Sequence, residues 1–128
     1  MWWCCLGQDG FGVEQLVGAL NEKGISEPFP IQALTISDAL AGRDVCGKAK
    51  TGSGKTLAFG LPLVERVPAA SPKRPTGLVL VPTRELAMQV SEAVHRYGRG
   101  LGARVLPIYG GQPIGRQLHA LQRGVDVV

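Results

Sequence analysis

The chain has 128 residues, of which 45% are hydrophobic and 19% charged, a composition that weighs against intrinsic disorder and limits the chain to one folded domain with a modest core. Fourteen lysines and arginines against ten acidic residues give a formal charge of +4, but the basic residues are spread along the chain, so a polyanionic partner is favoured only weakly. Cys4, Cys5 and Cys46 show no metal-ligand spacing, which favours a reduced, cytoplasmic protein without disulfides.

Residues 1–12 are interpreted as an atypical N-terminal segment, separate from the domain predicted over residues 13–128. The apolar start, residues 1–6, is too short to span a membrane, and no basic residue precedes it as a signal peptide requires. We therefore expect no membrane contact. The sequence suggests no function for the side chains at its start, which are Trp2, Trp3, Cys4 and Cys5.

Two amphipathic helices are predicted at the start of the domain. Residues 13–23 carry apolar side chains at helical spacing and end at Gly24, a suitable helix C-cap. Residues 25–30 then form a rigid, extended connector, because each proline fixes its own φ and keeps its predecessor out of the helical region. Helical periodicity returns over residues 31–40 and stops near Gly42.

Residues 49–56 carry the pattern of a phosphate-binding loop, which is a small residue, four spacers and then Gly-Lys-Thr. Gly52 and Gly54 allow the backbone to turn its N–H groups inward around a polyphosphate, and the following helix adds its positive N-terminal end. Lys55 is expected to contact the β- and γ-phosphates, and the Thr56 hydroxyl to bind Mg²⁺. The alternative, a glycine-rich turn with a chance lysine, does not explain the strand and helix predicted on either side.

Strands and helices alternate around this loop. A short strand is predicted over residues 43–47, and a helix runs from the loop to about residue 67 with Pro62 inside it. The proline-rich residues 68–76 form a surface loop. Residues 77–81 are a continuous apolar run, which predicts a strand buried on both faces of a parallel sheet. The remaining elements are a helix over residues 84–97, a strand over 104–109, a helix over 114–123 and a strand over 125–128.

Four stretches of this α/β pattern resemble motifs of the DEAD-box RNA helicases. They are Gly-Ile-Ser-Glu-Pro-Phe-Pro-Ile-Gln at 24–32 (Q motif), the loop at 49–56 with its alanine start (motif I), Pro-Thr-Arg-Glu-Leu-Ala at 82–87 (motif Ia) and the glycine pair at 110–111 (GG motif). Residues 124–128 are similar to the strand that leads into motif Ib. The resemblance begins at about residue 13. It implies a P-loop NTPase (RecA-like) domain, a parallel β-sheet flanked by helices, in truncated form.

The resemblance implies ATP and Mg²⁺ as cofactors and assigns residues to them. Gln32 is expected to donate to and accept from the adenine edge, which an amide can do; its alternative is an exposed helix glutamine. Lys55 and Thr56 are the catalytic residues present, and Thr56 is the metal ligand through the nucleotide. The full nucleotide site is Gln32, Ala49, Lys50, Thr51, Gly52, Ser53, Gly54, Lys55 and Thr56.

RNA is the partner implied by two turns that follow predicted strands. Pro82, Thr83 and Arg84 sit where a strand becomes a helix, so side chains and helical N–H groups can hold RNA phosphates. Gly110 and Gly111 would let an RNA backbone approach the main chain closely. Without the resemblance, the same residues are a helix cap, a solvated charge and a turn.

The chain departs from the family pattern in several places. The family's upstream aromatic residue would fall near Gly7, whereas Phe11 lies closer, so either the first dozen residues follow a different path or the stacking contact is missing. Lys50 stands where many members have glutamine, which leaves its effect on nucleotide binding open. No Asp-Glu-Ala-Asp motif occurs. Asp126 is the one acid in an apolar run near the C-terminus, and apolar residues follow it where a metal-holding acid needs a loop end.

The hypothesis from the sequence is therefore a nucleotide-binding and RNA-contacting part of an ATP-dependent RNA helicase, which needs the remainder of the helicase core for turnover. Exposed sheet edges are expected to lower its stability or cause self-association. The alternatives are a stand-alone, non-catalytic nucleotide- or RNA-binding module and a small-molecule kinase. A reading frame that continues into an Asp-Glu-Ala-Asp stretch would favour the helicase over the stand-alone module. A preference for adenine nucleotides would favour the helicase over the small-molecule kinase.

Overall fold

The computed structural model describes residues 13–128 of the protein. The helices predicted from periodicity are all present, with ends close to those predicted. In chain order they are α1 (Val13–Asn21), α2 (Pro30–Leu40), α3 (Lys55–Arg66), α4 (Arg84–Gly98), a short 3₁₀ helix (Arg99–Leu101) and α5 (Ile114–Arg123). Residues 1–12, with Trp2, Trp3, Cys4, Cys5 and Phe11, lie outside the described part.

Three extended segments run side by side in the same direction, in the order 77–81, 125–128 and 104–109 across the sheet. Gly77 and Val105 each form a parallel bridge with Val127, which places the last segment of the chain between the other two. The backbone N–H of Gly77 donates to the Asp126 carbonyl at 2.8 Å, and the N–H of Leu106 donates to the Val127 carbonyl at 2.9 Å. The parallel direction agrees with the prediction.

The core lies between the helices and one face of this sheet. α3 packs between α2 and α4, and each helix contributes apolar side chains spaced three or four residues apart, as one helix face requires. Burial of each such side chain contributes roughly 1.5–3 kcal/mol. The buried members are Val17, Leu20, Ile36, Leu57, Leu61, Val64, Val90 and Val94.

The prediction that residues 77–81 are buried on both faces is wrong for one face. Val79 and Val81 pack against the helical core, but Leu78 is 65% exposed and Leu80 84% exposed. Side chains alternate along an extended segment, so the two leucines point away from α3 and α4. No element of the described chain covers that face, which is why an apolar run alone misjudged the burial.

Two gaps with mainly apolar walls interrupt the sheet. The first, of about 700 Å³, lies at Val128 between residues 78–84 and 105–110. The second, of about 440 Å³, separates Val45 and Gly47 from residues 79–81. Among the described residues, no backbone hydrogen bond joins 43–47 to 77–81. Unpaired extended backbone can pair with another chain, so self-association stays a prediction.

Asp126 is the polar centre at the edge where the three segments begin, and it is only 5% exposed. Its Oδ1 accepts from the Ala70 N–H at 2.6 Å and from Arg104 Nη2 at 2.8 Å. Its Oδ2 accepts from the Arg104 N–H at 2.8 Å and from Arg104 Nε at 3.0 Å. The carboxylate thus ties the 68–76 loop to two segments of the sheet, and both of its oxygens are already in use. This role agrees with the sequence argument against Asp126 as a metal-holding acid.

None of the helices in the described part of the chain has the length and apolarity needed to cross a bilayer. Cys46 is exposed and has no disulfide partner among the residues described.

Candidate functional site

The loop predicted to hold phosphates ends at the N-terminus of α3. Gly52 and Gly54 both have φ of 80°, in the left-handed region that costs an L side chain about 1–2 kcal/mol. Gly54 is the residue that caps α3. A Cβ atom on Gly54 would also collide with the side-chain amide of Gln32. Conformation therefore favours glycine at both positions, and at Gly54 the lack of space requires it as well.

Lys55 lies across this loop with its ammonium group held by the loop backbone. Its Nζ donates to the Ala49 carbonyl at 2.6 Å and to the Lys50 carbonyl at 2.8 Å. The Ser53 hydroxyl donates to the same Lys50 carbonyl at 2.6 Å. An anionic phosphate oxygen forms a stronger hydrogen bond to an ammonium group than a neutral carbonyl does, so these contacts can be exchanged for phosphate.

Backbone donors surround this ammonium group. Within the described chain, the N–H groups of Gly52, Gly54, Lys55 and Thr56 donate to no acceptor. Such N–H groups beside the positive end of α3 form an anion-binding concavity. The donors present therefore fit a polyphosphate. The described residues contain no cluster of three or more acids, histidines or cysteines able to hold a metal ion. The Thr56 hydroxyl as a ligand of Mg²⁺ stays a prediction.

Gln32 joins the start of α2 to the start of α3. Its Oε1 accepts from the Phe29 N–H at 2.8 Å, and its Nε2 donates to the Gly54 carbonyl at 2.9 Å. The first bond is one half of a capping box, and Pro30 supplies the fixed φ that suits the first helical position. Gln32 is fully buried, so the interpretation as an exposed helix glutamine is wrong. Its contact with adenine stays a prediction, and it would use the second N–H and second lone pair of the amide.

The two turns predicted to contact RNA meet around one gap. Pro82, Thr83, Arg84 and Gly110 line the 700 Å³ gap, and Gly111 follows it with φ of 82°. All five residues are exposed. Each turn follows a parallel extended segment, and the two turns lie together at the carboxyl ends of these segments.

The start of α4 combines a helix cap with an exposed ion pair. Thr83 Oγ1 accepts from the Leu86 N–H at 3.2 Å, as a helix N-cap does. Arg84 Nε donates to Glu85 Oε1 at 2.8 Å, and both side chains are 67% exposed. The bond from Arg84 lowers the pKa of the Glu85 carboxyl. An exposed ion pair of this kind is weak, so Arg84 can turn to an anionic partner.

Sequence reasoning missed Phe29 as a functional candidate. Phe29 is 50% exposed, and a Cβ atom on Gly54 would lie 2.8 Å from Phe29 Cδ2, so the ring lies against the cap of α3. The available signal was an aromatic residue between two prolines, directly before the first turn of α2.

Known proteins match this chain over most of its length. A family model described as DEAD/DEAH box helicase matches residues 29–128. The DEAD-box ATP-dependent RNA helicase CshA of Bacillus subtilis is 50% identical over 113 residues, which are 88% of this chain and 23% of the relative. CshA of Bacillus licheniformis is 51% identical over the same shares of the two chains. The chain thus spans about a quarter of the length of these curated relatives.

Solved structures show the same likeness. The RNA helicase Prp28 from Chaetomium thermophilum, bound to ADP, has a TM-score of 0.79 and 39% identity, covering 89% of this chain and 29% of that one. A hypothetical ATP-dependent RNA helicase from Sulfolobus tokodaii has a TM-score of 0.79 and 36% identity, covering 90% and 32%. These matches confirm the predicted fold class, a parallel sheet flanked by helices.

Proposed function

Since the chain belongs to the DEAD/DEAH box helicase family, we propose that it carries the ATP-binding loop and part of the RNA-contacting surface of an ATP-dependent RNA helicase. One observation carries the proposal. The Lys55 ammonium group lies within 2.6–2.8 Å of two loop carbonyls, beside backbone N–H groups that have no acceptor in the described chain. Positive charge and free donors at a glycine-capped helix are the chemistry that binds a nucleotide polyphosphate.

Each residue of the loop has a defined part in this proposal. The backbone N–H groups of Gly52 and Gly54 orient the phosphates, and Lys55 neutralises their charge. Thr56 would hold Mg²⁺ through its hydroxyl, together with phosphate oxygens and water. Gln32 holds α2 against the Gly54 carbonyl and gives the site its adenine preference. Bound ATP supplies the phosphoryl group that water attacks in this family's reaction.

Turnover is proposed to need the rest of the helicase core, because the chain spans about a quarter of its curated relatives and contains no Asp-Glu-Ala-Asp motif. Phosphoryl transfer depends on acids that position the metal and the attacking water. We include three further points in the same proposal. RNA is the partner, the remaining helicase core is required for activity, and the protein is cytoplasmic.

Calorimetric titration of the 128-residue chain with Mg²⁺–ADP and Mg²⁺–GDP tests the proposal. We expect binding of ADP, weaker binding of GDP, and no RNA-stimulated release of phosphate from ATP. Absence of ADP binding at millimolar concentration would refute the nucleotide site. Equal binding of the two nucleotides would refute adenine selection and reopen the interpretation as a different P-loop enzyme. RNA-stimulated turnover by this chain alone would refute the need for the remaining core.

Arg84→Ala is expected to weaken binding of single-stranded RNA severalfold, because it removes a charge that neutralises a phosphate. The slope of log affinity against log salt should fall by about 1 when one phosphate contact is lost. Fluorescence anisotropy with a labelled oligouridylate at several salt concentrations measures both quantities.

Arg99→Ala is the matched control, since Arg99 is exposed and lies beyond the opposite end of α4. Arg99→Ala should change the RNA affinity and the salt slope only by the small amount expected from the loss of one surface charge. An equal loss in the two variants would show that the RNA interaction depends on net charge and not on the turn at residues 82–84.

A further inference from the structure

We propose that Phe29 is the surface on which the nucleobase stacks in this chain. The inference rests on the proposed nucleotide site and adds to it the residue that contacts the base face. Among the described residues at the start of α2 and α3, Gln32 is fully buried with its amide bonded to the chain, whereas Phe29 is 50% exposed. Phe29 therefore presents an exposed aromatic side chain close to the residue predicted to read the adenine edge.

The Phe29 backbone is held in place before any ligand arrives. Its N–H donates to Gln32 Oε1 at 2.8 Å, and its φ of −67° and ψ of 156° are extended values that suit a residue followed by proline. Pro28 and Pro30 restrict the chain on both sides. A contact surface that is ordered in advance loses little conformational entropy on binding.

The Phe29 ring lies next to the predicted phosphate loop. It lies against Gly54, the residue that caps α3 and that carries one of the unpaired N–H groups of the phosphate loop. A nucleotide with its phosphates in the loop and its nucleoside directed toward this corner would bring its base beside the Phe29 side chain. A half-exposed aromatic side chain at that position can stack on a purine, and such stacking is sequence-tolerant because every base has a π-face.

Phe59 is the competing aromatic residue near the loop. It is 39% exposed, but it lines the 440 Å³ gap next to residues 79–81, where the walls are mainly apolar side chains. Phe29 lies instead at the polar corner formed by Gln32 and the loop. The geometry therefore favours Phe29 over Phe59 for a base whose phosphates occupy the loop.

The test compares ligands with and without a base. Calorimetric titration of the full chain and of Phe29→Ala with Mg²⁺–ADP and with Mg²⁺–tripolyphosphate should show a loss of roughly tenfold in ADP affinity, as for one base–aromatic stack. Tripolyphosphate affinity should stay within about twofold. Phe29→Trp should retain ADP binding, and its added fluorescence should be quenched by ADP but not by tripolyphosphate.

Leu34→Ala and Phe59→Ala are the controls. Leu34 is an apolar residue on α2 with 73% exposure, so its loss should leave ADP affinity unchanged. If ADP and tripolyphosphate both bind and Phe29→Ala alters neither, or if Phe59→Ala alone weakens ADP, the stacking role of Phe29 is refuted while the proposed function stands. If the unmodified chain binds neither ligand, the proposed function fails and this inference fails with it. Equal losses for ADP and tripolyphosphate in Phe29→Ala would assign Phe29 to loop structure and refute base stacking.

Discussion

Lys55→Ala is expected to weaken the binding of Mg²⁺–ADP roughly ten- to a hundredfold, because a hydrogen bond between an ammonium group and an anion is among the stronger side-chain contacts. Lys55 Nζ already lies across the loop, held by two carbonyls, so no rearrangement of the chain is needed to meet a phosphate. Tripolyphosphate should lose affinity by a similar factor, since the lysine acts on phosphate and not on the base. Calorimetric titration with both ligands measures these losses.

Lys50→Ala is the matched control for this prediction. Lys50 belongs to the same loop and has the same charge, but its contribution to the loop geometry is its backbone carbonyl, which the substitution retains. ADP affinity should change by less than threefold. A larger loss for Lys50→Ala than for Lys55→Ala would mean that total loop charge, and not one positioned ammonium group, determines binding.

Asp126→Asn is expected to lower the free energy of unfolding by about 2–4 kcal/mol, as the loss of a buried, paired carboxylate typically does. The Asp126 oxygens accept four hydrogen bonds from Ala70 and Arg104. An asparagine has one oxygen, and its NH₂ group would face N–H donors. Urea denaturation followed by circular dichroism measures the change.

Glu92→Gln is the control for the Asp126 prediction. Glu92 pairs with Arg96 at 2.6 Å, one helical turn away, but the two side chains are 72% and 49% exposed. Water solvates such a pair, so its loss should leave the urea midpoint nearly unchanged. Similar destabilisation by both substitutions would contradict the role assigned to burial at Asp126.

The pH dependence of stability provides a second measurement of Asp126. Hydrogen bonds from Arg104 and from the Ala70 N–H hold the pKa of the carboxyl well below its usual range, against the effect of burial. Because the folded-state pKa lies below the unfolded value near 4, the stabilisation is fully present above about pH 4–5 and is lost as pH falls toward the folded-state pKa. Asp126→Asn should show a shallower decline over this acid range.

Glu65 affects the pH dependence of stability in the opposite direction. Burial raises the pKa of its carboxyl, so its charged form is disfavoured in the folded state and its contribution to stability improves as pH falls through the folded-state pKa. Glu65 is present in both the unmodified chain and Asp126→Asn, so its contribution cancels when the unfolding free energy of one protein is subtracted from that of the other. An identical acid profile for both proteins would refute the assignment of the decline to Asp126.

The helices and the phosphate loop could be predicted because their causes are local. The apolar spacing of α3 and α4 determines which face of each helix is buried, and the stretch before α3 carries glycines where the backbone needs positive φ. The family resemblance is likewise carried by short, contiguous motifs. These features depend on residues a few positions apart, and the sequence displays them directly.

The contacts that position the site could not be predicted in the same way. Gln32 donates to the Gly54 carbonyl across 22 positions of sequence, and nothing in either stretch indicates the other as its partner. Asp126 was interpreted from its apolar neighbours, whereas its role comes from Arg104, which lies on the adjacent segment. The exposure of Phe29 beside Gly54, the cap of α3, is a tertiary feature that the sequence does not show.

The sequence by itself determined the α/β class, the helix positions, the glycine positions of the loop before α3 and the family, because periodicity, turn residues and motifs are properties of neighbouring residues. Only the tertiary structure decided that residues 125–128 lie between 77–81 and 104–109, and that Leu78 and Leu80 are exposed. The physical reason is that an apolar strand can pair with any other, so its neighbours and its covered face depend on how the whole chain packs.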